Sequence, residues 1–180
     1  PNKIFARKTE CRLIKPKEAR EFLEANHWDG YVNSSVNIGL FYCNELVSCT
    51  TFAKSRFDKK YEYELMRFAN KIDYTVTGGF SKMLNRFEVH YSPSSLVTYK
   101  KIDLGTSEFY SKIGFTMLKI VAPGYSYLEN GVRIARQEYQ KHKILDLPQN
   151  MTQRDYLLSK RIFRVYDSGN YKLEKIYIKT

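Results

Sequence analysis

Glu108-Phe109-Tyr110-Ser111-Lys112-Ile113-Gly114-Phe115 is the stretch on which the reading of the fold turns. Thr106 can cap a short helix here, Phe109, Tyr110 and Ile113 supply its apolar side, and Gly114 stands where a left-handed C-terminal cap is wanted. Residues 115–121 then read as a strand. A helix that ends on glycine and turns straight into a strand is an α/β element, which calls for a mixed sheet in the rest of the chain.

Upstream, residues 80–91 carry Phe80, Met83, Leu84, Phe87 and Tyr91 at offsets of 3, 4, 7 and 11, an amphipathic helix closed by Pro93. The Gly-containing turn Val76-Thr77-Gly78-Gly79 feeds it, and residues 95–99 form the strand after it. Further back, Val36, Ile38 and Leu40 alternate with Asn37 and Gly39. Cys43-Asn44-Glu45 is a tight turn into a returning strand over residues 46–52, and residues 61–68 make the third strand of a meander. Residues 4–14 read as a first strand, and Pro16 opens a helix containing Ala19, Phe22 and Leu23. The last third is basic over residues 132–147. Thr152-x-x-Asp155 is a variant capping box before a short helix, and residues 162–166 and 171–178 read as a terminal hairpin around Asp167-Ser168-Gly169-Asn170.

With 180 residues, 43% hydrophobic and 27% charged, the composition is that of a folded domain, and disorder is excluded. The net charge of +11 is uneven: +4 over residues 1–60, +1 over 61–130 and +6 over 131–180. Such a distribution suits a polyanionic partner. Three cysteines, Cys11, Cys43 and Cys49, make neither a disulfide framework nor a CxxC metal box, and His27, His90 and His142 are scattered. No signal peptide or long apolar run occurs, which predicts a soluble, cytoplasmic chain.

The element order, together with the Glu108–Phe115 stretch, is similar to the GNAT acetyltransferase fold. The expected fold is therefore α+β: a mixed sheet flanked by helices over residues 1–130, and a basic extension over 131–180 ending in a β-hairpin. A second resemblance covers more of the chain. Phe5 to Arg12, Lys17 to Glu24, Gly30 to Ser35, Glu64-Leu65-Met66-Arg67-Phe68, Thr75 to Gly79, Gln140-Lys141-His142-Lys143 and Arg164 to Asn170 resemble the C-terminal region of phage-type homing endonucleases, Hef-like proteins among them. That resemblance implies a bacteriophage mobile-element protein acting on double-stranded DNA in the host cytoplasm. It also implies an attached N-terminal nuclease domain, similar to very short patch repair endonucleases, with Mg²⁺ as its cofactor. Members of that family carry an Asp-Arg-Arg-Trp-like stretch where this chain has Lys100-Lys101-Ile102-Asp103-Leu104.

Three chemistries were weighed on the residues. For DNA binding, Lys54, Arg56, Lys59, Lys60, Lys100 and Lys101 supply phosphate contacts. Arg133, Arg136, Gln140, Lys141 and Lys143 supply a basic segment; on a helix, Arg133, Arg136 and Gln140 share one face. For cleavage, Glu62 and Glu64 alternate on one strand face near Lys59 and Lys60, without a recognisable nuclease motif. For acyl transfer, the phosphate loop would be Thr75-Val76-Thr77-Gly78-Gly79-Phe80, with Gly78 and Gly79 at the cofactor, Tyr110 as general acid and Glu64 as base. Thr75 stands where that motif has a basic or amide residue, and Phe80 where it has a small one. On this reading the chain itself holds no cofactor or metal and recognises DNA. An acetyl-CoA-dependent N-acyltransferase is the alternative, and a structural domain supporting the nuclease is the third reading.

Overall fold

The computed structural model describes residues 2–178. The chain divides into two compact units. One contains the described residues up to Lys100, Thr106–Lys119 and those from Lys172 onward; the other contains Lys101–Gly105 and Ile120–Tyr171.

The strands in chain order are β1 (Asn2–Phe5), β2 (Glu10–Leu13), β3 (Val36–Tyr42), β4 (Glu45–Lys54), β5 (Tyr63–Asn70), β6 (Tyr74–Thr77), β7 (Ser95–Lys101), β8 (Thr116–Val121), β9 (Tyr125–Glu129), β10 (Val132–Ile134), β11 (Phe163–Tyr166) and β12 (Asn170–Ile176). The α-helices are α1 (Pro16–Asn26), α2 (Gly79–Tyr91), α3 (Glu108–Lys112) and α4 (Gln153–Ser159). A seven-stranded mixed sheet runs β2-β3-β4-β5-β7-β12-β8. The fold is α+β, as expected, with helices flanking this sheet.

Local chemistry explains the main elements. Cys43 and Asn44 both take positive φ (49° and 64°), the primed-turn geometry that lets β3 and β4 return as a tight hairpin. Helix α1 starts on Pro16 and buries Ala19, Phe22 and Leu23 against Cys49 and Ala69. Helix α2 buries Phe80, Met83, Leu84 and Phe87; Phe87 stacks on Phe52 at 3.9 Å, so this helix covers the other face of the sheet. Gly114, at φ 89°, ends the α3 turn as its sequence position requires.

Four expectations change. The first strand is broken: Ala6–Lys8 is a 3₁₀ turn closed by Thr9, whose Oγ1 donates to the Ala6 carbonyl at 2.7 Å. The approach to α2, read as a turn, contains strand β6, paired in parallel with β1. The terminal strands do not form one hairpin, because β11 pairs with β9 whereas β12 lies between β7 and β8. The basic segment is not a helix. Asn130 and Gly131, at φ 49° and 79°, turn β9 back into β10, and only the short 3₁₀ turns Arg136–Tyr139 and Lys141–Lys143 follow.

The second unit has its own sheet, β10-β9-β11, and its own core of Tyr127, Tyr156, Leu157 and Ile162. The capping box at Thr152 is formed: its Oγ1 accepts from the Asp155 N–H at 3.2 Å.

Candidate active site

The site is set by a fork in the large sheet. Strands β5 and β7 are parallel, and their register runs from Tyr63↔Leu96 to Leu65↔Thr98, three of the eight residues of β5. It does not continue further among the described residues. On the other side of β5, the register with β4 steps from Phe52↔Leu65 to Thr51↔Arg67, so Met66 is an extra, bulged residue. At the branch point the Thr98 hydroxyl donates to the Leu65 carbonyl at 3.2 Å, and Arg67 Nη1 donates to the Met66 carbonyl at 2.9 Å. Side chains from β7 and from β5 itself thus satisfy backbone oxygens where the ladder ends.

Glu64 sits at this fork. Tyr63 meets Phe87 of α2 edge-on at 5.1 Å, so strand alternation puts Glu64 on the opposite face. It is only 6% exposed, and its Oε2 is buried with no hydrogen-bond partner. Burial pushes its pKa above the ordinary carboxylate value, against the opposing pull of the Arg56 and Arg67 cations. Tyr99 of β7 is close enough that the Glu64 charge contributes to raising its pKa, although burial of the phenol is the larger cause. A buried carboxyl with one oxygen left unsatisfied is expensive to keep and marks a functional candidate.

Tyr110 approaches from the α2 face. Its ring meets Phe115 at 5.5 Å, Phe109 at 5.6 Å and Phe80 at 6.2 Å, all edge-on. Burial among these rings pushes its hydroxyl pKa up to about 12, and among the described residues no protein group hydrogen-bonds the hydroxyl. It therefore stays protonated at neutral pH.

The head of α2 completes the region. Gly78 is its N-cap at φ 77°, and no side chain caps the helix, which leaves the N–H groups of the first turn available. A Cβ on Gly79 would lie 3.0 Å from Val76 and 3.2 Å from Leu40, so the bare backbone packs closely there. Phe80, which the sequence places where a small residue is expected, is 3% exposed and turned into the aromatic core, with its ring 4.9 Å from that of Phe68. Its bulk does not stand over the helix end. Lys82 Nζ donates to the carbonyls of Ala6, at 2.9 Å, and of Thr9, holding the N-terminal turn beside the helix. Thr75 is exposed, and the loop carries no cation of its own.

The residues assigned to DNA fall elsewhere. Lys54 pairs with Glu62 at 3.0 Å and lies 4.0 Å over the Tyr63 ring. Arg56 lies over Phe57, Lys59 donates to the Ser55 carbonyl at 3.1 Å, and Lys60 is 3.6 Å from Glu174. Lys100 and Lys101 are half-buried at the end of β7. Arg133 donates to Ser126 Oγ at 2.7 Å from strand β10, Arg136 lies over Tyr125, and Lys143 pairs with Glu138 at 3.2 Å. Gln140 and Lys141 are exposed in the 3₁₀ region. Because β10 interrupts the segment, Arg133, Arg136 and Gln140 share no helical face. Nor do Glu62 and Glu64 act as a pair. The Ser94 N–H and hydroxyl and the Lys54 ammonium hold Glu62 at a pKa of about 2, whereas Glu64 is buried with no partner for Oε2. Among the described residues no three His, Cys, Asp or Glu side chains are grouped to hold a metal, and no helix is long and apolar enough to cross a membrane.

No family model and no curated protein matches the sequence. Solved structures do match. The ribosomal-protein-S18-alanine N-acetyltransferase of Escherichia coli superposes at a TM-score of 0.58 with 10% identity, covering 96% of each chain. A Bacillus subtilis acetyltransferase in complex with CoA gives 0.54 and 14%, covering 95% of this chain and 100% of that one. A GNAT family acetyltransferase from Elizabethkingia anophelis with acetyl-CoA bound gives 0.51 and 12%, covering 94% and 99%. The fold is GNAT-like. The resemblance to homing endonucleases is overturned by these matches, which are acetyltransferases. With it go the implied double-stranded DNA partner, the attached nuclease domain, and the phage, hydrolase and mobile-element assignments.

Proposed function

We infer that the chain is an N-acyltransferase that takes its acyl group from acyl-CoA. The observation that carries this reading is the buried Glu64 carboxyl at the fork between β5 and β7, whose Oε2 has no hydrogen-bond partner, with the protonated Tyr110 hydroxyl presented from the other face. Two groups whose surroundings leave one a proton acceptor and the other a proton donor at neutral pH are the acid–base assignment such a transfer needs.

The head of α2 fits the pyrophosphate of the cofactor. The uncapped N–H groups of its first turn are an anion site, Gly78 at the N-cap bears no side chain, and Gly79 lets the helix pack closely on Val76 and Leu40. The absence of a cation at Thr75 means that backbone donors supply the grip. Acyl-CoA, when bound, supplies an acyl group activated as a thioester. Glu64 then takes a proton from the nitrogen of the acceptor amine, and Tyr110 holds a proton for the departing sulfur. Past Leu65 the register of β5 with β7 ends, and among the described residues that edge of β5 is open, where an extended ligand can lie against the strand.

Thiol release measured with acetyl-CoA and a panel of primary amines (peptide α-amines, polyamines and aminoglycosides) tests this. Release above the enzyme-free rate with at least one amine is expected. Cofactor binding with release at the enzyme-free rate throughout would remove the transferase reading and leave a cofactor-binding domain.

A further inference from the structure

We propose that the second unit carries a separate binding site for the phosphate group of a small ligand, built on Arg136, Lys141 and Gln140 around Tyr125. Acyl transfer does not use these residues, and the proposal does not depend on that reading.

The site is a cavity of about 260 Å³ lined by Tyr125, Arg136, Gln140, Lys141 and Gln153. It is small for a drug-sized ligand. No carboxylate lines it. The Gln153 amide donates to the Tyr139 carbonyl, which fixes one wall. The Arg136 guanidinium lies 5.9 Å from the Tyr125 ring centroid, and Arg164 lies 4.6 Å from the same ring. Tyr125 is therefore a flat wall with two guanidiniums near its ring. Arg164 Nε is buried and has no hydrogen-bond partner.

The unit's own acids do not neutralise this charge. Glu138 pairs with Lys143 at 3.2 Å, and Glu129 accepts from the Tyr139 hydroxyl at 2.6 Å. Asp146 accepts from Tyr156, Asp155 from Thr152, and Asp167 from the Gly124 and Gly169 N–H groups. None is placed on Arg136, Lys141 or Arg164 among the described residues. A hollow lined by two cations and the exposed Gln140, with no acid among its lining residues, is matched by a compact dianion. Guanidinium and ammonium groups bind phosphate oxygens through charge-assisted hydrogen bonds. The β9–β10 hairpin and the two 3₁₀ turns bring these residues around one hollow, which a continuous helix would not do.

The test is an amide NMR titration of the whole chain with inorganic phosphate and, in parallel, AMP, at constant ionic strength. Saturable shifts confined to the amides of residues 125, 136–141, 153 and 164 are expected with both. AMP binding tighter than phosphate assigns the Tyr125 ring to the planar base; equal affinity assigns the site to the phosphate alone, and either result supports the site. The exposed double variant Arg136→Gln/Lys141→Gln keeps a dispersed native spectrum and weakens binding about tenfold or more, the scale of losing charged hydrogen bonds. Shifts that never saturate, that scatter over lysines and arginines elsewhere, or that persist in the double variant would overturn the proposal.

Discussion

Glu64→Gln is expected to lower acyl transfer by about 10²–10⁴-fold and, at neutral pH, to raise the melting temperature. The two effects have one cause. Folding buries the Glu64 carboxyl without a partner for Oε2, so its folded pKa lies above its unfolded value. The folded state then binds the proton more tightly than the unfolded state does. Stability from this group is fully present below the unfolded pKa, about 4.3, and is lost as pH rises through the folded pKa. Above its unfolded pKa the carboxyl weakens the native state relative to the unfolded one, and the amide does not. The stability gain of the variant should therefore be largest at neutral pH and shrink as pH falls towards 4. The activity of the unsubstituted protein should rise with pH through the same raised pKa, because only the carboxylate can accept a proton. Scanning calorimetry from pH 4 to 8, with rates across the same range, checks both. A variant that is less stable than the parent by an amount independent of pH would make Glu64 a satisfied structural group.

Tyr110→Phe should lower turnover on the same scale, roughly 10²–10⁴-fold, with acetyl-CoA affinity unchanged. The hydroxyl makes no protein hydrogen bond among the described residues, and its ring contacts with Phe80, Phe109 and Phe115 survive the substitution. Removing an unpaired polar group of this kind is neutral or stabilising. Since burial pushes the phenol up to about 12, its ionisation should cause no loss of activity until far above neutral pH. Stopped-flow thiol release and calorimetric cofactor binding separate the two readouts. A variant that binds the cofactor and turns over at the parent rate would take Tyr110 out of the reaction.

Much of the first unit was legible because its signals are local. The spacing of Phe80, Met83, Leu84 and Phe87 marked α2, Cys43-Asn44 marked the β3–β4 turn, and the run from Glu108 to Phe115 marked α3 and the strand after it. The errors arose where a local signal competed with a stronger pattern. Asn130-Gly131 is a hairpin signal of the strongest kind, yet the cations that follow it drew the eye to a helix. Residues 162–176 show two strands and a turn, but whether such strands pair is a question of tertiary context: β12 enters the large sheet, and β11 joins β9. Strand β6 lay hidden in the glycine turn, although Tyr74 and Val76 alternate with two threonines.

The candidate site was half legible. Gly78, Gly79, Glu64 and Tyr110 were all identifiable by residue type and position. Their weight was not, because it depends on burial. Phe80 stands where a small residue is expected, yet its side chain lies in the core; Glu62 and Glu64 alternate alike along the chain, yet Glu62 is bound to Lys54 and Ser94 and Glu64 is buried. The bulge at Met66, beside the fork, has no sequence signature. It follows from the pairing of Leu65 and Arg67 with adjacent residues of β4.

Titration calorimetry with acetyl-CoA tests the central claim most directly, because it asks whether the head of α2 and the fork of the sheet form a cofactor site, whatever the acceptor. Saturable one-site binding, competed by free CoA and weakened when Gly79 is replaced by a bulkier residue, is the result expected. Absence of a saturable heat with acetyl-CoA in large excess, from a chain that circular dichroism shows to be folded, would contradict it.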